Sequence, residues 1–296
     1  MLRKLTGSHL LRLAVALGAS SATNYASALA FAAFLSVFPI LLGLLAILGL
    51  LFRSSPSLEA SLLALLVSAF PASAQGVLAE ALGGVKTSAG LFGLLALAGL
   101  LWSASSVFST LEFALSQILG VKQRSLPRQK LMGLALMAGL LAFILLTLAA
   151  NFWLTYLPAS FPLLTFTLSL LANYLALLAL TLCFYRLVPN RTYALKGSLP
   201  GALFAAGLIL LASLAFPLYV HFAIHANVFG ASFGLFFVLA AWLYLLSLFL
   251  LFGAALNRYH LGAPTQAGIF ASPPDEARGV PTPLAAIHEQ QSQPPG

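Results

Sequence analysis

The sequence predicts an all-α, polytopic membrane protein with six transmembrane helices, an N-terminal interfacial helix and short outer-side helices between spans one and two. Three observations carry this fold class. The chain of 296 residues is 61% hydrophobic and only 7% charged, with a mean hydropathy of +1.01, whereas a water-soluble domain carries about 25% charged residues. Its apolar residues gather into six runs, 28–52, 89–108, 131–156, 163–185, 199–222 and 233–256, each near the roughly 20 residues that cross a bilayer as a helix. The runs are continuously apolar, without the alternation of a membrane barrel wall. Finally, twelve of the 14 Lys and Arg fall on one side of this topology, and only Arg53 and Lys86 on the other. Cytoplasmic loops collect Lys and Arg, so both termini are expected in the cytoplasm.

Residues 1–27 carry Leu2, Leu5, Leu10, Leu13 and Leu17 close to one helical face, and Arg12 interrupts the apolar stretch that a cleaved signal needs. An amphipathic helix lying in the interface is therefore predicted. Residues 28–260 form the six-helix domain. Pro39 lies inside span one, where its missing N–H predicts a kink. In the connection to span two, 61–70 is apolar but too short to cross; Pro71 ends it, and 72–82 continues as a weakly amphipathic segment. Two outer-side helices are predicted here. From 261 to 296, seven prolines among Gln, Ser and Gly predict a disordered cytoplasmic tail, because such a segment cannot bury enough apolar surface to offset ordering. Residues 28–33 echo 201–206, and each stretch precedes a Phe-Pro pair, Phe38-Pro39 and Phe216-Pro217. Transporters contain such repeats, and low-complexity helices also produce them by chance.

Several classes of function are excluded by pattern. The net charge of +8 is spread over membrane-flanking loops and forms no compact basic patch interleaved with aromatics, so nucleic acid is not an expected partner. The basic loops instead point to anionic lipid headgroups on the cytoplasmic side. No phosphate-binding loop ends in Lys-Ser/Thr, and no nucleophile elbow or HExxH is present. The single cysteine, Cys183, rules out an internal disulfide and a Cys-based metal site. His221 and His225 share a helical face, but zinc needs at least three protein ligands and no Asp, Glu or Cys lies nearby. No catalytic residue, metal or cofactor is expected.

Ionisable groups at membrane depth are costly and mark function by default. Glu112 is the only acid close to a span, with Ser105, Ser106 and Ser109 before it on the same segment. One reading makes these, with Asn257, a polar lining for an ion or proton; the other pairs Glu112 with Arg124 or Arg128, or leaves it solvated. Arg186 ends span four within Tyr185-Arg186 and ahead of Asn190-Arg191. A guanidinium binds phosphate bidentately, so Arg186, Tyr185, Asn190 and Arg191 are candidates for an anionic headgroup; a snorkelling helix anchor is the alternative for Arg186. Asn residues in spans act as helix glue by default. Pro39 and Pro189 are expected to shape the chain, and Gly201, Gly230 and Gly234 to allow close helix approach. A homo-oligomer stays open.

The segments Leu35-Ser36-Val37-Phe38-Pro39, Phe184-Tyr185-Arg186-Leu187-Val188-Pro189-Asn190, Lys196-Gly197-Ser198-Leu199-Pro200-Gly201-Ala202, Phe229-Gly230-Ala231-Ser232-Phe233-Gly234, Trp242-Leu243-Tyr244 and Gly253-Ala254-Ala255-Leu256-Asn257 together resemble the YihY/virulence-factor BrkB family over about residues 24–258. The resemblance implies a bacterial inner-membrane protein of six spans. Members once carried the label ribonuclease BN, later considered mistaken; some are linked to lipid or lipopolysaccharide export, others to cation/proton exchange. The sequence departs from the family pattern at Ala255, where many members have Glu, and at Phe229, where Tyr is frequent. The absent acid weakens any mechanism that binds a proton or Na⁺ there. The reading that follows is a transport or lipid-handling protein that moves an anionic amphipathic molecule without its own ATPase. A secondary cation/proton antiporter using Glu112 is the second reading, and a non-transporting assembly partner the third; ribonuclease activity is not expected.

Overall fold

The computed structural model describes residues 21–51, 89–154, 162–225, 231–269 and 271, with single positions at 57, 60, 61, 64 and 75. These residues form six long helices and a two-stranded ribbon: α1 (Ala22–Leu51), α2 (Ala89–Leu119), α3 (Leu126–Leu154), α4 (Pro162–Leu187), β1 (Arg191–Thr192), α5 (Leu195–His225), α6 (Ala231–Leu261) and β2 (Gln266–Ala267). Helices are the form that an apolar segment takes in hydrocarbon, because each backbone N–H and C=O then finds its partner within the segment. Four of them are long and apolar enough to cross a membrane over Leu126–Trp153, Leu163–Leu187, Leu195–Leu218 and Phe237–Leu261. The other two expected spans fall on α1 and α2. The interfacial helix expected within 1–27 lies outside the described residues up to position 20, as do most of the outer-side segment between spans one and two, Gly230 and the tail beyond 271.

Each helix packs on the next in chain order, and α6 returns to α1, closing a ring; α2 also touches α6 across it. The contact between α3 and α4 is the sparsest between consecutive helices. The core gathers Phe108, Leu111 and Leu115 of α2, Met132 and Leu136 of α3, Tyr185 of α4, Ala202 and Ala205 of α5, and Leu251 and Ala254 of α6. Alanines at these contacts let helix backbones approach, which matters where lipid is as apolar as leucine and association depends on packing. Large apolar side chains such as Leu146, Trp153, Leu163, Leu211 and Leu218 point outward and are exposed.

The closest approach joins α5 to α6. A Cβ at Gly201 would collide with the Gly253 carbonyl oxygen, and one at Gly253 would collide with the Gly201 carbonyl oxygen and the Tyr185 hydroxyl. Gly201 thus serves the packing role expected of it. Beside this crossing, the Asn257 carboxamide accepts from the Gly201 N–H at 2.7 Å and donates to the Ser198 carbonyl at 3.1 Å. Pro200 interrupts the helical ladder here, and Asn257 supplies partners from the neighbouring helix. The helix α1 runs through Pro39, against which a Cβ at Gly99 of α2 would sit 3.2 Å away. Gly234 lies in α6.

Two expectations change. Span two was bounded at residue 108, but α2 continues to Leu119, so Glu112 sits within the helix rather than past it. The helix persists because its polar third turns inward against neighbouring helices, where Phe108, Leu111, Glu112 and Leu115 are all buried. The tail was expected to be disordered from 261, yet α6 extends to Leu261 and residues 266–267 pair antiparallel with 191–192, Arg191 opposite Ala267 and Thr192 opposite Gln266. Backbone pairing and arginine contacts hold this stretch, neither of which its composition reveals.

Candidate functional site

The connections α2–α3 and α4–α5 and the segment after α6 meet at one end of the bundle, which carries most of the described cations. The geometry begins with Gly120. Its φ of 65° is a left-handed conformation that side chains resist, and it ends α2. The Val121 N–H donates to the Ser116 carbonyl at 2.9 Å and the Gly120 N–H to the Gln117 carbonyl at 3.3 Å, closing the helix end. The chain then doubles back, so that Arg124 meets Glu112, about two turns before the helix end.

Glu112 and Arg124 form a fully buried ion pair. Glu112 Oε1 accepts from the Arg124 backbone N–H at 2.9 Å and from Arg124 Nη1 at 3.1 Å. The same guanidinium then caps α4: Nη2 donates to the carbonyls of Leu187 and Pro189, both at 2.9 Å, and Nη1 to that of Val188. Nη2 also reaches the Ile269 carbonyl at 2.7 Å. Burial pushes the Arg124 pKa down from the ordinary guanidinium range, with the charge and hydrogen bond of Glu112 opposing the shift. Glu112 Oε2 and the nearby Ser116 hydroxyl are buried without a hydrogen-bond partner among the described residues.

Other side chains close the remaining helix ends. Arg258 Nη1 donates to the Leu119 carbonyl at 2.7 Å, and the Thr192 hydroxyl to the Tyr185 carbonyl at 3.0 Å. The Tyr193 hydroxyl donates to the Gly262 carbonyl at 2.6 Å; burial raises its pKa to about 12, against the pull of Arg258. Arg128 Nη1 donates to the Ala271 carbonyl at 2.7 Å, holding the end of the docked segment. The C-termini of α2, α4 and α6 all lie at this end, where their carbonyls carry partial negative charge and favour cations. Basic residues here therefore serve the helix ends as well as topology.

The residues singled out from sequence divide sharply. Tyr185 is buried, and its hydroxyl donates to the Leu250 carbonyl of α6 at 2.5 Å. Asn190 is buried, and its carbonyl accepts from the Gly268 N–H at 3.0 Å. Pro189 is buried beneath Arg124. Tyr185 thus ties α4 to α6, while Pro189 and Asn190 hold the turn after α4 against Arg124 and the docked segment. Arg186 and Arg191 are half-buried, and with exposed Lys196 their side chains make no hydrogen bond or ion pair among the described residues. Of the proposed polar lining, Ser105 accepts a hydrogen bond from Lys130, Ser106 and Ser109 are half-buried, Glu112 is held by Arg124, and Asn257 is engaged with α5. Sequence reasoning named Arg124 only as a partner for Glu112 and missed its role as a hub. The available signal was the isolated acid followed by Gly120, a helix stop at the spacing that returns an arginine to it. No group of three or more His, Cys, Asp or Glu that could hold a metal occurs among the described residues.

A ring of long apolar helices, closed in chain order and capped at one end by cations of which Arg124 is buried, defines a multi-pass helical membrane protein. The chain matches the family model described as virulence factor BrkB over residues 15–268, and it belongs to that family. No curated protein and no solved structure matches it.

Proposed function

We propose that the protein is a six-span bundle of the bacterial cytoplasmic membrane, with both termini in the cytoplasm, that binds and moves an anionic amphipathic lipid without hydrolysing ATP itself. The observation that carries this reading is the trio Arg186 in the last turn of α4, Arg191 on the connection and Lys196 in the first turn of α5. Their side chains are uncommitted among the described residues, while Arg124, Arg128, Lys130 and Arg258 beside them are engaged with protein oxygens. Guanidinium groups bind phosphate oxygens in bidentate fashion, and a cation near an anionic leaflet contributes about 1 kcal/mol of attraction. Buried Tyr185 and Asn190 each directly precede an arginine of this trio, fix the backbone there and drop out as direct headgroup ligands.

The test is movement of a fluorescent anionic phospholipid between leaflets in proteoliposomes of purified protein. Movement is expected with the parent chain and is expected to fall about tenfold in Arg186→Ala, in line with loss of a charge-assisted contact. Undiminished movement in Arg186→Ala and Arg191→Ala would remove the trio from the mechanism.

The Oε2 of Glu112, without a partner among the described residues, favours a second reading, a cation/proton antiporter. Against it stands the other oxygen, already held by Arg124. Proton-gradient dissipation that persists in Glu112→Gln would exclude that reading.

A further inference from the structure

On the flank of the bundle, away from the basic end, a cleft of about 340 Å³ opens between α3, α4 and α5. Phe143 and Thr147 line it from α3, Ser169 and Asn173 from α4, and Leu210 and Ser213 from α5. It lies at the sparsest helix contact of the ring, within three of the helices long and apolar enough to cross a membrane. Exposed Leu146, Phe166, Leu211 and Leu214 surround it. A cleft at this height opens on hydrocarbon, so its occupant comes from the membrane.

The polar groups state what that occupant offers. The Thr147 hydroxyl donates to the Phe143 carbonyl and the Ser213 hydroxyl to the Ile209 carbonyl, each at 2.8 Å, so their protons are spent within their own helices. Asn173 Nδ2 donates to the Ser169 carbonyl at 2.9 Å, which uses one of its two amide protons. The Ser169 hydroxyl has no partner among the described residues. Two donors therefore remain one turn apart on α4, in a setting where an unmet donor is costly. No cation lines the cleft; Arg186 lies about 20 Å further along α4 at the rise of an α-helix. The ligand is thus mostly apolar, uncharged where it binds, and rich in acceptors.

We propose that this cleft is a lateral binding site for the ester-linked backbone and upper acyl chains of a membrane glycerolipid, with Ser169 and Asn173 donating to its ester carbonyls. The proposal deepens the lipid reading above and rests on it for the bilayer setting, but not on Arg186.

The probe is a zwitterionic phosphatidylcholine carrying a photoactivatable diazirine beside its ester, in nanodiscs with the full chain; labelled peptides are mapped by mass spectrometry. Labelling is expected to concentrate on the cleft-lining stretches of α3, α4 and α5. It should fall about fivefold in Ser169→Ala and in Asn173→Leu, the scale of one lost hydrogen bond in a membrane. Ser169→Ala removes a single oxygen from a half-buried position and keeps the test open should Asn173→Leu not fold. Labelling spread evenly over the lipid-facing flanks, or undiminished in both cleft variants, overturns the site as ordinary boundary lipid. Cleft labelling that falls in Ser169→Ala while anionic lipid movement ignores Arg186 supports this site and sinks the headgroup trio; the reverse pattern sinks the cleft alone.

Discussion

The two halves of α4 put their polar groups to opposite uses. At its C-terminal end the carbonyls of Tyr185, Leu187, Val188 and Pro189 are all claimed, by Thr192 and by Arg124, and the Tyr185 hydroxyl is fixed on α6. In its N-terminal half Ser169 and Asn173 keep unspent donors beside an open cleft, at the sparsest helix contact of the ring. Hydrogen bonds that close on the protein hold helices in register; donors left over in hydrocarbon are available to a ligand. The difference separates a clamp from a binding surface on one helix.

The largest effect is expected for Arg124→Met. It strands the Glu112 carboxylate and several α4 carbonyls in a buried setting, and a lost partner of a buried ion pair costs about 3–5 kcal/mol. A large drop in the thermal midpoint of the purified protein is expected, with partial recovery when Glu112→Leu is added. A loss below about 1 kcal/mol would mean that the cage is not what holds the basic end. Next in size is Asn257→Leu, which leaves the Gly201 N–H and the Ser198 carbonyl without their cross-helix partners. A buried group deprived of its bond costs about 1–3 kcal/mol, read as a lower midpoint with the fold kept. The smallest effect is expected at Ser169→Ala, where no protein bond is lost and stability should stay within about 0.5 kcal/mol. A larger loss there would show that the cleft is part of the clamp, and would weaken its assignment to lipid.

Much of the candidate site was legible in residue chemistry, though not in its assembly. Glu112 and Arg186 stood out because charge is scarce near the spans, and the pairing of Glu112 with Arg124 was one of the two readings its position allowed. Tyr185 and Asn190 share a motif with Arg186, yet helical rotation turns Tyr185 into the core while Arg186 stays half-buried, and the turn after α4 buries Asn190. Neighbours in sequence therefore belong to different environments. The docked segment was not legible at all. Its prolines and polar residues describe a chain that cannot form a core, and they carry no information about carbonyls accepting from Arg124 and Arg128.

The solvent and the secondary structure follow from the order of residues alone. A chain so poor in charge, with long uninterrupted apolar runs, has to satisfy its backbone internally, and helices in a membrane do so. The uneven placement of Lys and Arg likewise marked one end of the bundle as basic. Which polar groups are spent follows only from how the helices pack. Uniformly apolar helices look alike from every side, so nothing along the chain says that Gly201 meets Gly253, that Asn257 completes the ladder of α5, or that α3 and α4 part to leave Ser169 and Asn173 open. Those outcomes depend on close packing between helices far apart in sequence, where one hydrogen bond made or left unmade sets the role of a residue.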